Sequence, residues 1–337
     1  MSELVLVANS EDATISTLRM HTGREPLLES LATTPVGGSC STFVIDSERD
    51  VVYAAYKGDS PGVVKMRLDR ETGTLTPVWR SDVDASLTYL TLAAGGSLLL
   101  GASYGGGFGA VWRVEPNGLG LVTDRIEYDN LHCVVVVGDI VYFVSLGQDL
   151  IAQYRLGPNG KLHPLAPETV PAPPGSGPRH LIVNGADAYL LTEFSGEAIR
   201  YDVAADGGLT EAESVVAVDP AAGLTQSRFG ADPIQEGLIW GADLHLAEGY
   251  LLCSERNSST IASIAVDAEG DLGHVAAITS TEKQPRGFGV APDGRHVVGV
   301  GEKSKRASLY HLEDDGSLTL LHRQHIGDGA NWVRFVL

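Results

Sequence analysis

The chain has 337 residues, 43% of them hydrophobic and 20% charged, so it can bury a sizeable core and is too apolar for general disorder. Lys and Arg number 24 against 43 Asp and Glu, a formal net charge of −19. That charge argues against nucleic acid and anionic lipid as partners, and any anionic small molecule would need a local cationic pocket.

The predicted elements recur in one order along the chain. Residues 4–9 alternate as a second strand, residues 15–20 as a third, and Gly23 then precedes Leu27. Residues 43–45 and 51–56 form a pair of short strands. Residues 63–68 follow, then Thr72-Gly73-Thr74 and Leu75. The same sequence of strand, Gly turn and Leu returns at 110–114 with Gly118 and Leu119, and at 151–156 with Gly160 and Leu162. It returns again at 199–203 with Gly207 and Leu209, at 261–266 with Gly270 and Leu272, and at 309–312 with Gly316 and Leu318. A tight turn at Pro292-Asp293-Gly294 joins strands 287–291 and 297–300, and residues 331–337 read as a lone first strand. Seven such units of about 45 residues, each of four strands, predict a seven-bladed, all-β propeller forming one domain over 1–337. The C-terminal strand is expected to complete the N-terminal blade and so remove an open sheet edge. The one long interval, between Leu209 and Leu272, places a loop insertion at about 219–238, a rim or lid over one face.

No run approaches the roughly 18 apolar residues of a membrane span, and the N-terminus carries neither the basic nor the apolar region of a signal peptide. Cys40, Cys133 and Cys253 are widely spaced, without a CxxC motif, so neither a disulfide framework nor a zinc site is expected. A cytoplasmic, reducing location follows as an expectation, and a closed ring of this size is expected to be a monomer.

In a propeller the start of each first strand and the end of each second strand share one face. The starts are Cys40, Thr88, His132, Arg179-His180, Asp243 with His245, Arg286 and Asn331. The ends are Tyr56, Tyr104, Leu146, Glu193, Glu255-Arg256 and Glu302-Lys303. Convergent His, Arg and Glu at one channel mouth, in a protein this acidic, point to a small-molecule site. Each residue also has a structural reading. Arg179 and Arg286 follow prolines and could hold carboxylates between blades, His132 could be a core hydrogen-bonder, and Arg256 could pair with Glu255. Asp243 and His245 share a strand face but lack a third ligand, so no metal is expected. Tyr104 precedes three glycines that would let backbone approach a ligand.

Gly177-Pro178-Arg179-His180, Glu193, Trp240-Gly241-Ala242-Asp243-Leu244-His245, Gln284-Pro285-Arg286-Gly287-Phe288 and Gly301-Glu302-Lys303-Ser304 follow in order. Together they resemble the seven-bladed lactonase family of bacterial 6-phosphogluconolactonases and fungal carboxy-cis,cis-muconate cyclases. The resemblance covers the whole chain, and no Trp-Asp dipeptide supports a WD-repeat alternative. It implies a metal-independent, cofactor-free lactonase of sugar-phosphate metabolism (the pentose phosphate pathway), with His132, Arg179, Glu193 and Arg256 as the catalytic set. The substrate would be a small anionic sugar lactone, 6-phosphoglucono-1,5-lactone first. Arg179 with Arg256 would face the oxyanion, and either Glu193 or His132 would act as general base. Arg286 with Lys303 would hold the phosphate, and Tyr104, His180, Asp243 and His245 would contact substrate nearby. A lactonase of another sugar acid, a carboxymuconate-type cycloisomerase and a non-catalytic binding propeller are the alternatives.

Overall fold

In the computed structural model, which describes residues 2–337 with side chains from residue 3 onward, 28 strands form seven four-stranded antiparallel sheets. In the second blade Ser39–Asp46 is innermost, followed outward by Val51–Lys57, Gly62–Leu68 and Leu75–Asp82. The innermost strands pack side by side all the way round a ring. The first blade is built from both ends of the chain: Ala330–Phe335 pairs with Ser2–Asn9, in the register Val5–Phe335, Val7–Val333 and Ala8–Trp332. The predicted closure is therefore the observed one.

Both faces of every blade are covered by neighbouring blades, so the core is a set of seven apolar layers rather than one central mass. Strand alternation sends successive side chains into successive layers. Leu4, Leu6 and Ala8 pack against the second blade through Phe43, Val52 and Val64, whereas Val5 and Val7 pack against Val298, Val300 and Leu309 of the seventh.

The recurring Gly–Leu signal is a clasp between blades. Gly73, Gly160, Gly207, Gly270 and Gly316 turn the chain with φ between +73° and +93°, which glycine adopts without steric cost. A Cβ on each would also collide with the preceding blade, on Leu31, Thr123, Ile140, Asp187 and Tyr250 respectively. The Leu after the turn is buried, and its N–H donates to a side chain of that same blade. Leu75 bonds Thr34, Leu162 bonds Asp124, Leu209 bonds Gln153, Leu272 bonds Glu213 and Leu318 bonds Thr279. In the first repeat the position shifts by one: Leu28, not Leu27, is buried and donates to His322.

The insertion lies on the channel-mouth face. It holds a 3-10 turn, Pro220–Ala222, and a single helical turn, Pro233–Glu236. It is tied down beside the site by Ser227 N–H to the Phe194 carbonyl and by Asn257 to the carbonyls of Pro233 and Leu238. Among the described residues no helix is long and apolar enough to cross a membrane.

Candidate active site

Five of the seven innermost strands lose register at the same end. The ladder skips Ser41, His132, Arg179, Ala242 with Asp243, and Asn331. A β-bulge leaves one residue without a cross-strand partner and re-aims its side chain. Three of the predicted site residues, His132, Arg179 and Asp243, sit on these bulges.

Glu193 stands just beyond the end of Asp187–Thr192 in the fifth blade. Its backbone spans two blades: its N–H donates to the Gly177 carbonyl, and its own carbonyl accepts from Gly241 N–H. Gly241 is needed there, because a Cβ would strike the Thr192 carbonyl. One carboxylate oxygen, Oε2, accepts from Arg179 Nε at 2.9 Å and forms an ion pair with Arg256 Nη2 at 2.9 Å. Arg179 and Arg256 are only 1% and 2% exposed, so Glu193 is the counter-charge to two buried cations. Their guanidiniums hold its carboxyl below the usual range despite burial. Arg256 stacks on Trp240 at 3.8 Å and donates to the carbonyls of Trp240 and Gly241. Glu255 does not pair with Arg256; it accepts from the N–H groups of Trp240, Asn257 and Ser258 and shapes the turn.

At the mouth lies a cavity of about 220 Å³ lined by Lys57, Thr88, Tyr104, His132, Glu193, Trp240, Arg256 and Arg286. A larger cleft, of about 340 Å³, opens under the insertion beside Phe194, Arg228 and Phe229, but the charged side chains converge in the smaller one. His132 is buried, and its Nδ1 has no hydrogen-bond partner. Burial first, then the positive charge of Arg179, holds the imidazole neutral well below its usual pKa. Arg286 is 31% exposed at its side chain and meets Glu302 at 3.1 Å.

Behind the cavity wall is a second, drier layer. His180 Nδ1 lies 2.8 Å from Asp243 Oδ1, Asp243 Oδ2 lies 3.3 Å from His245 Nε2, and Arg179 Nη1 lies 3.1 Å from His180 Nε2. Burial lowers the His180 pKa to about 3. The His180 ring meets Tyr89 and Trp332 edge to face, with the three centroids 5.0–5.7 Å apart.

His132, Glu193, Arg256, Tyr104 and Arg286 therefore share one cavity, as expected. Arg179, His180 and Asp243 are brought close but lie behind Glu193 rather than on the cavity wall. His245 packs on Phe288 at 4.8 Å and meets Asp243, and neither lines the cavity. Lys303 turns outward to Glu11 at 2.6 Å, so the predicted phosphate partnership with Arg286 does not form. Its place on the wall is taken by Lys57, which the sequence reading passed over in favour of Tyr56. Trp240 has no role in the expectation from sequence either; the signal that could have found it is its place immediately before the innermost strand Gly241–Ala247. No group of three or more His, Cys, Asp or Glu among the described residues is arranged to hold a metal ion.

A family model described as Lactonase, 7-bladed beta-propeller, matches residues 5–335. A Sodalis glossinidius protein named 6-phosphogluconolactonase is 30% identical over 343 residues, covering 99% of this chain and 98% of that one. One of the same name from Pectobacterium carotovorum is 30% identical over 348 residues, with the same coverage. The periplasmic gluconolactonase of Pseudomonas aeruginosa, 24% identical, superposes with a TM-score of 0.87 over 100% of this chain and 99% of its own, and shows the shared fold.

Proposed function

The chain belongs to the lactonase family of seven-bladed β-propellers, and from that premise we propose that it hydrolyses a sugar δ-lactone, 6-phosphoglucono-1,5-lactone ahead of others. Full-length relatives carrying the name 6-phosphogluconolactonase support the substrate class. The observation that carries the reading is the cationic cavity itself: Arg256, Arg286 and Lys57 against Glu193, set in a protein of net charge −19.

Availability divides the two candidates for general base, since both pKa values are shifted down. Glu193 is clamped by two guanidiniums at 2.9 Å, which occupy its anion. His132 is weakened as a base by burial, but its Nδ1 has no partner and it lines the cavity, so it takes the proton as water attacks the lactone carbonyl. Arg256, rather than the recessed Arg179, faces the oxyanion that forms; a preformed cation there lowers the barrier without reorganising solvent. When the tetrahedral intermediate collapses, the ring oxygen leaves and recovers the proton from His132, giving the open sugar acid. Glu193 and Arg179 hold Arg256 in place. The reaction draws on no cofactor in this scheme. Three buried free thiols, Cys40, Cys133 and Cys253, support a reducing, cytoplasmic setting.

The test is a substrate panel: freshly made 6-phosphogluconolactone, gluconolactone and a carboxymuconate, read by proton release or absorbance with spontaneous opening subtracted. Faster turnover of the phosphorylated lactone than of the other two is the expected result. Cyclisation of the muconate without lactone hydrolysis would replace the reading with a cycloisomerase, and no turnover of any substrate would leave a binding propeller.

A further inference from the structure

Three cations line the cavity, and their commitments differ. Arg256 is committed through Nε and Nη2 to Glu193 and two backbone carbonyls and stacks on Trp240, which leaves Nη1 for the oxyanion. Arg286 has one carboxylate partner, Glu302, and a partly exposed guanidinium. Lys57 ends the strand Val51–Lys57 on the second blade, next to the seventh blade's mouth residues only through the cavity. Among the described residues it has no ion-pair partner.

We propose that Lys57 and Arg286 form a two-legged clamp for the phosphate of the substrate, and that Glu302 sets how tightly the clamp closes. The proposal rests on the lactone-hydrolase reading and assigns the phosphorylated end of the substrate to Lys57 and Arg286 and the lactone carbonyl to His132 and Arg256 of the same cavity. Two like charges facing one cavity repel each other when it is empty, and partial desolvation with Arg286 nearby lowers the pKa of the Lys57 ammonium from its usual range although the side chain keeps access to solvent. A phosphate dianion removes that repulsion. Arg supplies a planar fork for two of its oxygens, and Lys supplies a compact charge for the third. Glu302, 14% exposed and 3.1 Å from Arg286, offers Arg286 an alternative partner. It therefore competes with the phosphate and keeps the clamp from binding every small anion. The signs are opposite: losing Lys57 weakens selection for the phosphorylated ligand, and losing Glu302 strengthens it.

The experiment measures kcat/KM for 6-phosphogluconolactone and gluconolactone and takes their ratio. Lys57→Gln is expected to lower the ratio about tenfold, the scale of one charge-assisted hydrogen bond; Lys57→Arg should retain it, and Glu302→Gln should raise it. A ratio unmoved by Lys57→Gln, or lowered by Glu302→Gln, overturns the clamp. Calorimetry with 6-phosphogluconate and gluconate separates this from failure of the hydrolase reading, because it needs no turnover. Tighter binding of the phosphorylated acid that Lys57→Gln abolishes supports the clamp even in a protein that opens no lactone. Equal affinity of the wild-type protein for both acids refutes it.

Discussion

Replacing Glu193 with Gln removes one negative charge and leaves two guanidiniums, 1% and 2% exposed, without a counter-ion. Breaking a buried pair from one side costs about 3–5 kcal/mol, because the abandoned charge stays desolvated. The lower end applies here, since the carbonyls of Ala242, Trp240 and Gly241 still accept from the two arginines. A loss of about 3 kcal/mol is a large share of the 5–15 kcal/mol typical of a folded domain. At ~2 °C per kcal/mol for a chain of this size it lowers Tm by roughly 6 °C. Thermal melting followed by circular dichroism reads that shift, and the substrate panel reads turnover in parallel. Adding Arg179→Met to Glu193→Gln removes one of the stranded charges, so the double variant should melt higher than the single one while turnover stays low. If Glu193→Gln melts within ~1 °C of the wild type, the carboxylate is not what sustains the two cations, and the positioning argument for Arg256 falls with it.

Removing residues 331–337 strips the first blade of its innermost strand and of buried Trp332, Val333, Phe335 and Val336. At about 1.5–3 kcal/mol for each apolar side chain, the loss approaches the whole stability of a domain. Cooperative melting should disappear; a sharp transition near the wild-type Tm would contradict the closure. The pH profile follows from two downward shifts. His132 must be neutral and Glu193 ionised, and both pKa values lie below their usual ranges, so the working forms survive mild acid. kcat/KM should stay level from pH 8 to below 6.5 and fall only under it, whereas an acid limb centred near 6.5 would show an unshifted histidine as the base.

The blade count was legible because five of the seven units mark themselves with a left-handed Gly turn and a buried Leu, both required by contact with the preceding blade, and the other two, at Gly23 and Gly118, keep the Gly–Leu pattern without the left-handed φ. The termini were legible too, since three strands of a blade at one end and one strand at the other have one way to be completed. The mouth was legible only to within a residue. Alternation predicts side-chain facing along an unbroken ladder, and here the ladder breaks at the mouth. The bulge at Ser41 separates the Cys40–Tyr56 pair from the rest of its strand pairing, and Lys57, one residue past Tyr56, reaches the cavity. The bulge at Arg179 lets its guanidinium run behind Glu193 rather than into the open. Lys303 follows Glu302 by one residue and lies beyond the strand His296–Val300, where no register constrains it, and it turns to Glu11. Residue types marked the right face, but depth and direction depended on backbone irregularities that leave no periodic trace.

Pairing of the first and last strands also orders events during synthesis. Within the propeller, the strand Ser2–Asn9 is made before all the others, yet its neighbour on one side, Ala330–Phe335, is made after them. At 5–20 residues per second the gap is roughly 20–60 s. Through that interval Val5 and Val7 lack the layer they share with Val333 and Phe335, and a row of backbone groups stands unpaired. Such an edge is a template for other chains. Nascent propellers on one messenger are therefore exposed to joining one another by the same strand that later seals each ring, and the hazard ends only when Ala330–Phe335 has been made.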